Sequence, residues 1–176
     1  MKVLKVLLWI IGIILLIGVI LLVAAPTNVH IERSVAINAP ASQVWPHLVN
    51  YASFNDWNPW YKMDTAAQYT ITGQDGTVGA ASNWKGEKIG EGRLETTALE
   101  PYTSVQQQLT FVKPWASTAN CYYRLSEHAG ITTLTWGFDS EFPRPQNIMG
   151  LFMKGALEKD YDSGLQDLKQ QVEAGR

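Results

Sequence analysis

The sequence predicts an α+β architecture: a seven-stranded, curled antiparallel sheet with two short helices and one long C-terminal helix, preceded by a single transmembrane helix. Three observations predict it. Twenty consecutive uncharged residues run from Val6 to Ala25; six strand-like segments follow one another between Tyr69 and Phe142 with only turns between them; and the last 28 or so residues change to a helical period.

At about 1.5 Å per residue the Val6–Ala25 run reaches roughly 30 Å, the thickness of a bilayer's hydrocarbon core. It is apolar on every face, and a chain of 176 residues cannot build a core large enough to bury such a helix. A secretory signal peptide is the rival reading: Lys2 and Lys5 supply a charged start, and Val23-Ala24-Ala25 resembles a cleavage site. The run exceeds the roughly 7 to 15 apolar residues of a signal peptide, and Pro26 follows the best cleavage point, so an uncleaved anchor is expected. The expected division is residues 1–25 as anchor, 26–28 as linker and 29–176 as one domain. Positive charge lies only on the N-terminal flank of the run. The expected location is therefore a bacterial inner membrane, with the N-terminus cytoplasmic and the domain extracytoplasmic.

Beyond the anchor, Val29, Ile31, Val35 and Ile37 share one face of a strand that Asn38-Ala39-Pro40 ends. Pro40 suits the start of a short helix carrying Val44, Trp45 and Leu48. Tyr51, Phe54, Trp57 and Trp60, spaced three apart, form an aromatic ridge on a second short helix, expected to plug the end of the sheet rather than to wall a cavity. Strands are then expected near 69–72, 79–84, 90–99, 104–112, 118–125 and 131–142, with Asp75-Gly76 as a hairpin signal. Asn147 is expected to cap the final helix, whose apolar stripe is Ile148, Leu151, Phe152, Tyr161, Leu165, Leu168 and Val172. Gly155 and Gly164 mark a close approach or a bend in it.

Composition narrows the function. Lys2 and Lys5 leave with the anchor, so 12 of the 14 basic residues face 16 acidic ones and the domain is acidic overall, which argues against nucleic acid and against electrostatic adhesion to anionic lipid. Cys121 is the single cysteine, and His30, His47 and His128 have no metal-ligand partner at helical or strand spacing, so no metal site and no cofactor are expected. There is no nucleophile elbow, and the glycine-rich turns at 73–79 and 86–92 precede strands, not helices, so they cannot cradle phosphate. Glu91, Arg93 and Glu95 alternate onto a solvent face. Asp56, Asp64, Asp139 and Glu141 lie at element ends, where sequence cannot pair them.

The ordered set Ile37-Asn38-Ala39-Pro40 with Val44-Trp45 and Leu48, Trp57-Asn58-Pro59-Trp60, Trp84-Lys85-Gly86, Gly90-Glu91-Gly92, Thr133-Leu134-Thr135-Trp136 and Gly164-Leu165 with Leu168-Lys169 resembles the SRPBCC, or helix-grip, superfamily. That superfamily includes START lipid-transfer domains, the birch-pollen-allergen fold and bacterial polyketide cyclase/dehydrase-like proteins. The resemblance covers nearly everything after the anchor. It implies a hydrophobic cavity between sheet and C-terminal helix, used by relatives for lipids, sterols, quinones or polyketide-like molecules.

Strand alternation selects the lining without the family's help. Leu94, Gln107, Leu109, Phe111, Cys121, Tyr123, Leu125, Leu134, Trp136 and Phe138 share the inner face, with Ser82 and Trp84 beside them; Tyr69 and, from the helix, Phe152 complete the expected site. Gln107, Tyr123, Tyr69 and the indoles of Trp84 and Trp136 are its polar handles. The expected function is a membrane-anchored binding protein for a hydrophobic, lipid-like molecule, with the bilayer and that molecule as partners and no catalytic residue assigned. Two alternatives stand beside it: a polyketide cyclase/dehydrase-type enzyme using Tyr123, Gln107 and Trp136, and an envelope interaction module whose cavity is filled by its own aromatics.

Overall fold

The computed structural model describes residues 2–175, so the outer bounds Met1 and Arg176 of the expected division lie outside the described residues. The elements are α1 (Lys2–Ala24), β1 (Asn28–Ile37), α2 (Ala41–Val49), α3 (Tyr51–Trp57), α4 (Pro59–Met63), β2 (Gln68–Thr72), β3 (Ala81–Lys85), β4 (Glu91–Glu100), β5 (Ser104–Lys113), β6 (Ser117–His128), β7 (Ile131–Glu141) and α5 (Asn147–Ala174). The α+β helix-grip architecture is as expected: seven antiparallel strands in the order β1-β7-β6-β5-β4-β3-β2, with the long helix across one face.

α1 carries no buried residue and is long and apolar enough to cross a membrane, a property that a signal sequence shares. From β1 the chain leaves the sheet through three short helices, not two. Asn58 splits the aromatic segment: its side chain accepts the Trp60 backbone N–H at 2.9 Å and starts α4, with Pro59 in the first turn. The start of α3 is capped from afar, by the Asp75 carboxylate of the β2–β3 connection, which accepts the N–H groups of Tyr51 (2.8 Å) and Ala52 (3.2 Å).

β2 to β7 form a meander, and β1 closes it by pairing with β7 in register Ile31↔Phe138 and Val35↔Leu134. Register shifts between Glu91 and Gly92 and between Thr96 and Ala98 bend β4 against β5, which curls the sheet. The concave side is covered at one end by α2 and α3 and elsewhere by α5. Ile31, Ile37, Val44, Leu48, Leu134, Leu165 and Leu168 are almost wholly buried between these layers.

α5 meets the sheet closely at Gly164, where an added Cβ would lie 3.1 Å from both the Pro59 ring and Trp136. Gly155 has nothing near it, so of the two glycines only Gly164 serves close packing. The buried face of α5 runs through Asn147, Gly150, Tyr161, Gly164, Leu165, Leu168 and Val172. At about 100° per residue, Leu151 and Phe152 are turned away from it. They are 45% and 75% exposed, so the expected apolar stripe holds only in the C-terminal half of the helix.

Candidate functional site: a cavity beneath the C-terminal helix

The curl of the sheet and the length of α5 leave a space that side chains do not fill. It is a cavity of about 320 Å³, near the lower end of the range for small-molecule sites. Its floor comes from alternate residues of the central strands: Ser82 and Trp84 from β3, Leu94 from β4, Gln107, Leu109 and Phe111 from β5, Cys121 and Tyr123 from β6, Trp136 and Phe138 from β7. Its roof is Met153, Ala156, Leu157, Asp160 and Tyr161 of α5. Phe54, Asn58, Trp60 and Met63 close one side, and Tyr69, Lys88 and Ile89 border another.

Eight of the ten site residues expected from sequence therefore line one cavity: Tyr69, Trp84, Leu94, Gln107, Leu109, Phe111, Tyr123 and Trp136. Leu134 does not. It is fully buried opposite Leu125, toward the end of the sheet that α2 covers, where the Thr132 hydroxyl donates to the Ala39 carbonyl at 2.7 Å. Phe152 does not either, because it faces outward. The lining residues of α5 (Met153, Ala156, Leu157, Asp160 and Tyr161) and of the helical segment (Phe54, Asn58, Trp60 and Met63) were outside the expected set, as were Lys88 and Ile89 of the β3–β4 connection.

The aromatic ridge does two jobs. Tyr51 and Trp57 are buried wedges, while Phe54 and Trp60 also wall the cavity. Trp136 is the hub: its ring meets those of Phe54, Trp57, Trp60 and Tyr123 at 5.2–6.3 Å and stacks on Tyr161 at 3.8 Å with 14° between planes.

Polar groups in the cavity are few and mostly engaged. The Trp84 indole donates to the Ile89 carbonyl at 3.3 Å, and the Trp60 indole to Asp160 Oδ2 at 3.1 Å. Gln107 Nε2 donates to the Tyr51 hydroxyl at 3.3 Å, which lies 3.0 Å from Thr96 Oγ1; Gln107 Oε1 is buried without a partner. Burial pushes the Cys121 thiol up to about 12, opposed by a hydrogen bond with Tyr161, and raises the Tyr123 and Tyr161 phenols well above their ordinary value. The interior is thus uncharged near neutral pH, with Lys88 and Asp160 at its rim. Such a chamber solvates an apolar, neutral molecule and penalises a charged one.

The rim is ordered by Asp64. Its carboxylate accepts the Lys88 backbone N–H at 2.8 Å, and hydrogen bonds from Lys88 first, then Ile89 and Ala66, hold its carboxyl below the usual range despite the opposing effect of burial. Other polar pairs lie away from the cavity: Arg93 pairs with Glu95 at 3.0 Å, and the His30 imidazole Nδ1 is hydrogen-bonded with Asp139 Oδ1 at 2.6 Å. Among the described residues, no group of three or more His, Cys, Asp and Glu side chains could hold a metal ion.

A family model described as "Polyketide cyclase / dehydrase and lipid transport" matches residues 28–173. No curated protein matches significantly. Solved structures with the same fold include protein MLL2253 from Mesorhizobium loti (17% identity, 85% of this chain and 98% of that one, TM-score 0.62). Protein CV1439 from Chromobacterium violaceum is similar at 13% identity over 84% of this chain and 98% of that one, TM-score 0.60. The Aha1 dimer from Colwellia psychrerythraea is similar at 18% identity over 84% and 98%, TM-score 0.60.

Proposed function

The chain belongs to the polyketide cyclase/dehydrase and lipid transport family, and from that premise we propose that it is a membrane-tethered binding protein for a neutral, hydrophobic small molecule held between the sheet and α5. The observation that carries this reading is the cavity, about 320 Å³ of apolar space whose charged lining groups among the described residues, Lys88 and Asp160, stand at its rim. α1 is the tether. A molecule dissolved in the bilayer is concentrated beside the domain, which raises its effective concentration at the cavity without any new contact. The domain occupies the extracytoplasmic side, following the Lys2 and Lys5 flank of α1.

Three tryptophans, Trp60, Trp84 and Trp136, project toward the cavity and still leave it open, which favours a binder over a module plugged by its own rings. Inside the cavity Cys121, Tyr123 and Tyr161 are held protonated by burial, and the charged lining residues among those described, Lys88 and Asp160, stand at the rim, Asp160 accepting the Trp60 indole N–H. Binding therefore accounts for the site better than a cyclase or dehydrase reaction does.

The test is an organic extract of the full-length protein purified from its own membranes. One apolar species enriched over the bulk membrane profile is the expected result. A profile identical to bulk lipid, with no mass bound to the chain in native spectrometry, overturns the reading.

A further inference from the structure

The apolar helix and the cavity meet at one end of the molecule. The ladders Asn28↔Glu141, Phe111↔Ser117, Glu91↔Lys113 and Gln68↔Lys85 put the start of β1, the β5–β6 turn, the β3–β4 connection and the entry to β2 at the same edge of the domain. The end of α1 lies there too, and it is gripped. Arg144 donates to the Leu22 carbonyl (3.1 Å) and the Val23 carbonyl (3.0 Å), and Asn147 Nδ2 donates to the carbonyls of Leu22 (3.0 Å) and Ala25 (2.9 Å). The last carbonyls of a helix have no partners within it, and here the domain supplies them. The three residues between α1 and β1 are not a loose leash.

This end also exposes Trp115 (65%), Leu151 (45%) and Phe152 (75%), none of which the cavity uses. Its charge differs from the rest of the domain. The segments 62–67, 85–91, 112–116 and 141–155 hold six basic and four acidic residues, whereas the connections at the opposite end, 73–80, 100–104 and 126–130, hold Asp75, Glu100 and Glu127 and no Lys or Arg. The acidic balance of the whole domain conceals that polarity. The cavity rim lies at the same end: Lys88 is exposed, Ile89 and Met153 are half-buried, and Met153 is six residues, or about 9 Å, along α5 from Asn147.

We propose that this end is the face docked on the bilayer, with Trp115, Leu151 and Phe152 in the interfacial layer and the cavity mouth opening onto lipid, so that the ligand loads from the membrane without crossing water. The proposal rests on α1 being an uncleaved span. Trp is favoured at the headgroup level, exposed Leu and Phe bury at the boundary between headgroups and acyl chains, and a positive excess is favoured beside anionic headgroups.

The test uses the full-length chain in vesicles of phosphatidylethanolamine and phosphatidylglycerol. Trp115→Cys, Phe152→Cys and Lys88→Cys, with Tyr102→Cys as the far-end reference, are labelled with an environment-sensitive fluorophore; buried Cys121 leaves the unsubstituted chain as the blank. Labels at 115 and 152 are expected to shift to the blue and to lose more than half their emission to acyl-brominated lipid, the label at 88 to respond partly, and that at 102 not at all. Labels at 115 and 152 as watery as that at 102 overturn the docked face, and a watery label at 88 alone overturns the lipid-facing mouth. Alkaline carbonate extraction separates this from failure of the tether: a chain that leaves the membrane refutes the span itself, and labels are read only on chain that stays.

Discussion

Trp136 on β7 and Tyr161 on α5 stack face to face, 3.8 Å between ring centroids, and so set the distance between the sheet and the helix that roofs the cavity. Tyr161→Ala removes that spacer and leaves a void at a site only 1% exposed. Large-to-small changes of an aromatic core residue cost about 3–5 kcal/mol, and this loss is expected in the denaturation midpoint of the purified chain. Tyr161→Phe keeps the stack, forfeits only the bond to Cys121, and should cost about 1 kcal/mol.

The buried phenols and thiol fix the sign of the alkaline response. Tyr51 and Cys121 are pushed up to about 12, and Tyr123 and Tyr161 well above their ordinary value, each chiefly by burial, so the unfolded chain ionises them first. Stability from these groups is intact below about pH 9 and falls as pH rises toward 12, by roughly 1.4 kcal/mol per pH unit for each group that only the unfolded state has ionised. Melting temperature is expected to be flat from these groups near neutrality and to drop above pH 9. Consistently, Cys121 should resist iodoacetamide in the folded chain at pH 8 and react once denaturant is added.

Asp64 holds the β3–β4 connection at the cavity rim through the N–H groups of Lys88 and Ile89. Asp64→Ala is expected to raise hydrogen exchange at residues 86–90 and to speed ligand release, with little change in exchange on β6 and β7. Unchanged exchange at Lys88 and Ile89 would show that the loop is held by other contacts.

Arg144 and Asn147 join the domain to the end of α1. Replacing both with Ala frees four carbonyl contacts while leaving the cavity lining untouched. Limited proteolysis of the full-length chain should then cut faster between Ala25 and Asn28, with the domain fragment otherwise as resistant as before.

Much of this was legible in the residues. The β-strand alternation found the inner face of β5, β6 and β7 because side chains must alternate across a sheet. Alternation gives the face but not the position along the strand, which is why Leu134 and Leu125 read as lining: they share the face but lie where α2 lands on it. Phe152 failed for a different reason. Apolar residues at 148, 151 and 152 match a helical stripe locally, yet the buried face is set by Gly150, Tyr161 and Gly164, whose role depends on Val29, Pro59 and Trp136 from distant segments. The Asp75 cap on α3 and the Asp64 clasp on the rim link residues 24 apart in sequence, and no local pattern announces them.

The most direct test of the binding reading compares the native mass spectrum of the extracted full-length chain with that of Leu109→Trp, which pushes an indole into the cavity, once matching circular dichroism shows that both are folded. One small apolar molecule bound per wild-type chain, and a clearly smaller bound fraction on the variant, is the result expected. A bare wild-type chain, or the same molecule bound to the same extent by the variant, contradicts it.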